Sequence, residues 1–240
     1  MIANDKTLGC LILHGFTSSL DTVNGLVPRM ERNNIPYRMP VLRGHCTRPE
    51  DLVGVTWKDW YADAQAALQD LLEEVDLAIP IGLSMGGLVA LNLAMDHGEK
   101  LAGVVAVAAA LRFKSPLIGL LPLLSRLFQW WKSPPAFADA QCAKRNTNYG
   151  RFPTRSFVSL YEYSRLIESR LPRVTVPLLI VQSHRDTVVD PASAQAIFDR
   201  VSSREKRIAW FEKTDHEMLM DLEREAVFDA IEGFVLERRP

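Results

Sequence analysis

The chain has 240 residues, 48% hydrophobic and 24% charged, enough apolar material for one large core with a small inserted unit. Its 28 basic and 29 acidic side chains leave a formal net charge of −1 and form no extended basic block, which excludes a nucleic-acid footprint and a polybasic membrane patch. Three cysteines, Cys10, Cys46 and Cys142, lack metal-ligand spacing, so no metal site, cofactor or disulfide framework is expected and a reducing compartment fits best.

The first apolar run, Leu8–Leu13, is too short for an export signal, so the chain is expected to be cytoplasmic and without stable membrane insertion. The same run reads as a buried strand ending abruptly in His14-Gly15-Phe16-Thr17. Residues 18–33 follow as a helix, with Leu20, Val23, Leu26, Val27 and Met30 on one side and Asn33-Asn34 as a stop. A second strand over 37–42 leads into the polar loop Arg43-Gly44-His45-Cys46-Thr47, which is assigned a structural role. The next helix opens at Thr56, where Asp59 completes a capping box, and turns Trp57, Trp60, Tyr61, Ala64, Leu68, Leu71, Leu72 and Val75 toward the core.

The centre of the pattern is the stretch VDLAIPIGLSMGGL at 75–88. A short apolar strand runs into Gly82-Leu83-Ser84-Met85-Gly86, of the form G-x-S-x-G, and then into an apolar helix. That form places a serine on a sharp strand-to-helix turn with its hydroxyl raised above the sheet edge, so Ser84 is the candidate nucleophile. The amide of Met85, at the start of the helix, and the amide of Phe16, in the loop after the first strand, are the candidate oxyanion donors. His14 has a competing claim as a base, but a histidine before glycine at a strand end is better read as bracing its loop.

Another strand is expected at 101–111. From Arg112 to Pro172 no strand–helix alternation is visible; Leu117, Ile118, Leu120, Leu121, Leu123, Leu124, Leu127, Phe128, Trp130 and Trp131 crowd together, broken by Pro116 and Pro122. Residues 112–172 therefore read as a cap or lid insertion, with Leu120, Leu124 and Phe128 as candidate substrate-binding side chains. The apolar run is too short, and too interrupted by Arg126, Gln129 and proline, to cross a bilayer.

Alternation resumes with a strand at 176–182 and then Ser183-His184-Arg185-Asp186. Asp186, four residues past the strand, can reach across the sheet edge to a histidine and is the candidate acid. Asp190, before Pro191 and a helix at 192–201, reads instead as a helix cap. A last strand at 207–211 opens toward Asp215-His216, followed by a helix at 217–236. His216 combines a late strand-end position with an available acid, and Asp215 is expected to point elsewhere. The catalytic order is then Ser84, Asp186, His216.

Taken together, His14-Gly15-Phe16, Leu42-Arg43-Gly44-His45, Gly82-Leu83-Ser84-Met85-Gly86-Gly87, Asp186 and His216 resemble the α/β-hydrolase superfamily, and within it the small bacterial carboxylesterases and monoacylglycerol lipases. The resemblance covers residues 7–111 and 174–237. It implies an α/β fold with a mostly parallel central sheet flanked by helices, a core at 1–111 and 173–240, and an apolar cap at 112–172. It also implies two-step acyl transfer on a small-molecule ester or monoacylglycerol through an acyl-enzyme. Thioester, C–C or peptide hydrolysis on the same triad, or slow-turnover ligand binding, are the alternatives. In these relatives the Arg-Gly-His loop commonly ends in glycine, whereas here Cys46 stands at that place.

Overall fold

In the computed structural model, which describes residues 7–239, six parallel strands form one sheet in the order β2-β1-β3-β4-β7-β8. They are β1 (Leu8–Leu13), β2 (Tyr37–Arg38), β3 (Leu77–Leu83), β4 (Val104–Val107), β7 (Leu178–Ser183) and β8 (Lys206–Phe211). Residues 1–6 and 240 of the expected core lie outside the described residues.

Alternation along each strand explains why helices cover both faces. Leu11 and Leu13, Val104 and Ala106, and Leu178 and Ile180 pack on one side with α2 (Trp57–Leu72), α3 (Met85–Asp96) and α7 (Ala192–Arg200). Cys10 and Ile12, Val105 and Val107, and Leu179 and Val181 pack on the other with α1 (Val27–Arg32) and α8 (Arg224–Leu236). α3 lies in the centre of its layer and is buried at every position from Met85 to Met95.

Parallel pairing puts the carboxyl ends of all these strands at one edge, so the loops after β1, β3, β7 and β8 converge there. Strand order reverses beside β1 and β3, where the register sets Leu13 opposite Gly82. Ser84 follows β3 directly and therefore stands over that crevice.

Several elements are shorter than the sequence pattern suggests. The helix expected at 18–33 is two 3₁₀ turns, Leu20–Thr22 and Asn24–Leu26, before α1. Pro28 lacks an amide and its ring would strike the carbonyl four residues earlier, so it sits in the first turn of α1 and no α-helical turn precedes it. The strand expected at 37–42 stops at Arg38, ahead of Pro40. The one at 101–111 is regular only from Val104 to Val107, because Ala108 turns to φ +43°. The helix expected from 217 begins at Arg224.

The insertion between β4 and β7 does contain regular structure, contrary to the sequence reading. A 3₁₀ turn, Pro116–Leu120, leads into α4 (Leu121–Leu124); β5 (Trp130–Lys132) pairs antiparallel with β6 (Arg151–Pro153); α5 (Ala140–Ala143) lies between them. α6 (Thr154–Arg170) then buries Phe157, Leu160, Tyr163 and Ile167 in the same core cluster as α3. Strands of three residues are too short to show a period, whereas the i, i+3, i+6, i+10 spacing of α6 is a helical stripe.

Candidate active site

Ser84 sits at φ +55°, ψ −111°, between β3 and α3. Its amide donates to Val107 O at 2.8 Å and its carbonyl accepts from Gly87 and Ala110, so the turn is held from both sides. A side chain at Gly82 would come within 2.0 Å of Gly86 O, and one at Gly86 within 2.5 Å of Leu13 O. The two glycines are thus required by close backbone approach at this strained turn, whose conformation costs a non-glycine residue about 1–3 kcal/mol.

Three side chains from three loops join in one hydrogen-bonded line. Ser84 Oγ lies 2.9 Å from His216 Nε2, and His216 Nδ1 lies 2.9 Å from Asp186 Oδ2. Asp186 is fully buried; its Oδ1 accepts the amides of Val188 and Val189, and its Oδ2 also accepts from Gln182 Nε2 at 3.0 Å. Burial pushes the Asp186 carboxyl up, but His216 and the two amides outweigh it and hold it below the usual aspartate value. For His216 burial pushes the other way, and the Asp186 carboxylate, helped by Glu217 and Asp215, overcomes it and raises the imidazole from 6.5 to about 9.

Neighbouring candidates are occupied elsewhere. Asp215 takes the Thr187 amide and hydroxyl and the His216 amide, so its carboxylate turns away from the imidazole ring. Asp190 Oδ1 accepts the Ala192 amide at 2.9 Å at the head of α7.

His14 and His45 hold the loop after β1. His14 Nδ1 donates to Gly15 O and its Nε2 accepts the Leu42 amide; His45 Nδ1 donates to Leu42 O and its Nε2 accepts the Thr17 amide at 3.1 Å. Both rings are used on both nitrogens, a neutral tautomer. Burial lowers His14 to about 4, and burial together with His14 lowers His45 to about 3. Tyr149 from the insertion stacks on His45, donates to Gly44 O, accepts the Thr47 amide and gives its own amide to Thr17 O. The Phe16 and Met85 amides meet no protein acceptor among the described residues.

A cavity of about 630 Å³ opens on Ser84 and His216. Its apolar wall comes from Phe16, Phe113, Ile118, Leu121, Phe152 and Phe157. Leu120, Leu124 and Phe128, expected to bind substrate, do not line it: Leu120 and Phe128 are 54% and 52% exposed. Leu117, Ile118 and Leu121 of the same proline-broken turn line it instead.

Tyr149, Gln182, Asn148 and Glu217 belong to this site but were not picked out by sequence pattern. Gln182 carried a signal, a polar side chain at the end of an apolar strand; the other three become neighbours only through folding.

A doubly covered parallel sheet with a serine elbow, a buried acid–histidine pair and an insertion over the carboxyl edge defines the α/β-hydrolase fold. The chain belongs to the family described as serine aminopeptidase, S33 (Hydrolase_4), which matches residues 6–223. It is 28% identical over 233 residues to the thermostable monoacylglycerol lipase of Bacillus sp. (strain H-257), covering 95% of this chain and 90% of that protein. It is 24% identical over 226 residues to a carboxylesterase of Bacillus subtilis (strain 168), covering 94% and 91%. A solved structure from work on LipS and LipT, two metagenome-derived lipolytic enzymes, superposes with a TM-score of 0.91 at 29% identity, covering 97% of this chain and 95% of that one.

Among the described residues, no helix is long and apolar enough to cross a membrane and no group of three or more His, Cys, Asp or Glu is arranged for a metal.

Proposed function

We propose that this serine ester hydrolase is a carboxylesterase of the monoacylglycerol-lipase type, with Ser84 as nucleophile, His216 as general base and acid, and Asp186 as its orienting carboxylate. The observation that carries this reading is the line Ser84 Oγ–His216 Nε2 and His216 Nδ1–Asp186 Oδ2, both steps at 2.9 Å, opening on an apolar cavity. His216 takes the Ser84 proton as Oγ attacks the ester carbonyl, and the negative oxygen that forms is received by the amides of Phe16 and Met85. His216 then gives that proton to the leaving alcohol oxygen, and water repeats the cycle on the acyl-enzyme.

Residues 112–172 act as the cap, and its inward side chains, Ile118 and Leu121 with Phe113 and Phe157, receive the acyl chain. The named activities of the relatives support an apolar acyl ester of a small alcohol as substrate. The free thiols of Cys10, Cys46 and Cys142 support a reducing, cytoplasmic setting.

The test is rapid mixing with an activated aryl ester. An acyl-enzyme mechanism gives a burst of aryl alcohol equal to the enzyme concentration, followed by steady turnover; amino-acid anilides serve as the comparison for peptide-bond hydrolysis. Absence of a burst together with faster anilide cleavage contradicts the reading.

A further inference from the structure

The loop after β1 lies against the nucleophile: a Cβ on Gly15 would stand 3.4 Å from Ser84 Cβ. The next residue, Phe16, keeps its amide free of protein acceptors among the described residues, and the one after it, Thr17, sits at φ +63°. A threonine holds that left-handed conformation only where its surroundings over-determine it. Here they grip it on both of its backbone groups. Thr17 N donates to His45 Nε2 at 3.1 Å, and Thr17 O accepts the amide of Tyr149 at 2.8 Å.

Half of that grip therefore comes from the insertion. Tyr149 is itself fixed: Ser133 Oγ donates to its carbonyl, and its hydroxyl donates to Gly44 O at 3.1 Å and accepts the Thr47 amide at 2.9 Å. Its ring lies parallel to that of His45, with 4° between the planes. Tyr149 thus acts on Thr17 twice, directly through its own amide and indirectly through the imidazole that receives the Thr17 amide. The Phe16 ring meets the insertion as well, edge-on to Phe152 and Phe157 at 5.4 and 5.8 Å between centroids. Met85 needs no such support, because it opens α3, which is buried at every position from there to Met95.

An oxyanion hole works only when its donors are fixed before the charge develops. We propose that Tyr149 is a positioning residue for the oxyanion hole: through Thr17 and His45 it fixes the Phe16 amide where the ester oxygen gains its charge, so the insertion completes the catalytic centre as well as covering it. This rests on the ester-hydrolase reading and adds to it a residue that the triad does not contain.

The experiment compares the wild type, Tyr149→Phe and Tyr149→Ala in kcat and KM for p-nitrophenyl butyrate and in Ki for two ketones of equal chain length, one trifluoromethyl and one methyl. Ser84 Oγ adds to the trifluoromethyl ketone carbon, its proton passes to His216, and the carbonyl oxygen carries the negative charge into the hole. The methyl ketone stays largely unreacted and reports the acyl cavity alone. Rates are counted per site titrated with a phosphonate ester, so unfolded chain does not enter them.

Tyr149→Ala is expected to lower kcat at least about tenfold, on the scale of a donor displaced by a fraction of an ångström, with KM within about twofold. Binding of the trifluoromethyl ketone is expected to weaken by the factor lost in kcat/KM, while the methyl ketone binds as before. Tyr149→Phe keeps the ring and the amide and loses the two hydroxyl contacts, so about a threefold loss in the same two measurements is expected, the scale of one modest hydrogen bond. It supplies the answer if Tyr149→Ala does not fold.

A kcat unchanged in the folded variants, a KM that rises alone, or a loss shared equally by the two ketones makes Tyr149 a structural or substrate-contact residue and overturns the proposal. A wild type that neither cleaves the ester nor binds the trifluoromethyl ketone more tightly than the methyl ketone contradicts the ester-hydrolase reading itself.

Discussion

Asp186 meets His216 through Oδ2 at 2.9 Å while its Oδ1 is pinned by the amides of Val188 and Val189, so the carboxylate that orients the imidazole is itself fixed by backbone. Asp186→Asn is expected to lower kcat by about 10⁴-fold, because an amide in that place favours the wrong tautomer of His216. Asp190→Asn, at the head of α7, is expected to cost at most about 1 kcal/mol of stability and little activity. Equal activity losses in both, with folding intact, would contradict the assignment of the acid.

The raised His216 pKa gives a signed pH dependence. The base must be neutral to act, so kcat/KM is expected to rise with pH through an inflection above 6.5, toward about 9. Stability runs the other way, because the folded state holds this proton more tightly than the unfolded one. The His216–Asp186 contribution is complete below 6.5 and is lost as pH climbs toward about 9. Rate profiles and melting temperatures measured together check this, and Asp186→Asn is expected to flatten the thermal trend; an inflection at or below 6.5 is the contrary result.

Cys46 lies at φ +57°, a left-handed conformation that costs a side chain about 1–2 kcal/mol and glycine almost nothing. Cys46→Gly is therefore expected to stabilise the chain by roughly 1 kcal/mol, less the extra freedom glycine gives the unfolded state. Urea unfolding of the two proteins is the measurement. A destabilised glycine variant would show that the Cys46 side chain contributes more than its backbone costs.

Inward and outward positions of the insertion are expected to differ in acyl selectivity. Ile118→Ala and Leu121→Ala, which shorten the cavity wall, are expected to reduce the preference for octanoyl over butyryl esters by about tenfold, from about 0.8 kcal/mol per methylene over roughly two methylenes. Leu124→Ala and Phe128→Ala are expected to leave that preference as it is. The comparison of kcat/KM against chain length decides, and selectivity lost only at the outward positions would relocate the pocket.

The serine elbow was readable because its signals are local: a β-period run, two glycines required by backbone contact, and a helix start within twelve residues. Asp186 and His216 were readable from strand-end position and chain order. Proline punctuation at Pro28 and Pro40 was present in the sequence but outweighed by apolar periodicity, so α1 and β2 came out too long. The insertion's inward face could not be read, since Pro116 and Pro122 break the phase that would separate Ile118 and Leu121 from Leu120 and Leu124. Nothing local links Asn148 to Glu217, or Tyr149 to His45, across gaps of 69 and 104 residues (217 − 148 and 149 − 45).

The most direct test of the central claim is to treat the protein with an alkyl phosphonate ester and map the adduct by mass spectrometry. One phosphonyl group is expected, on Ser84, with loss of esterase activity in step with labelling and no labelling of Ser84→Ala. An adduct on any other residue, or a Ser84→Ala protein that keeps the wild-type rate, would contradict the account.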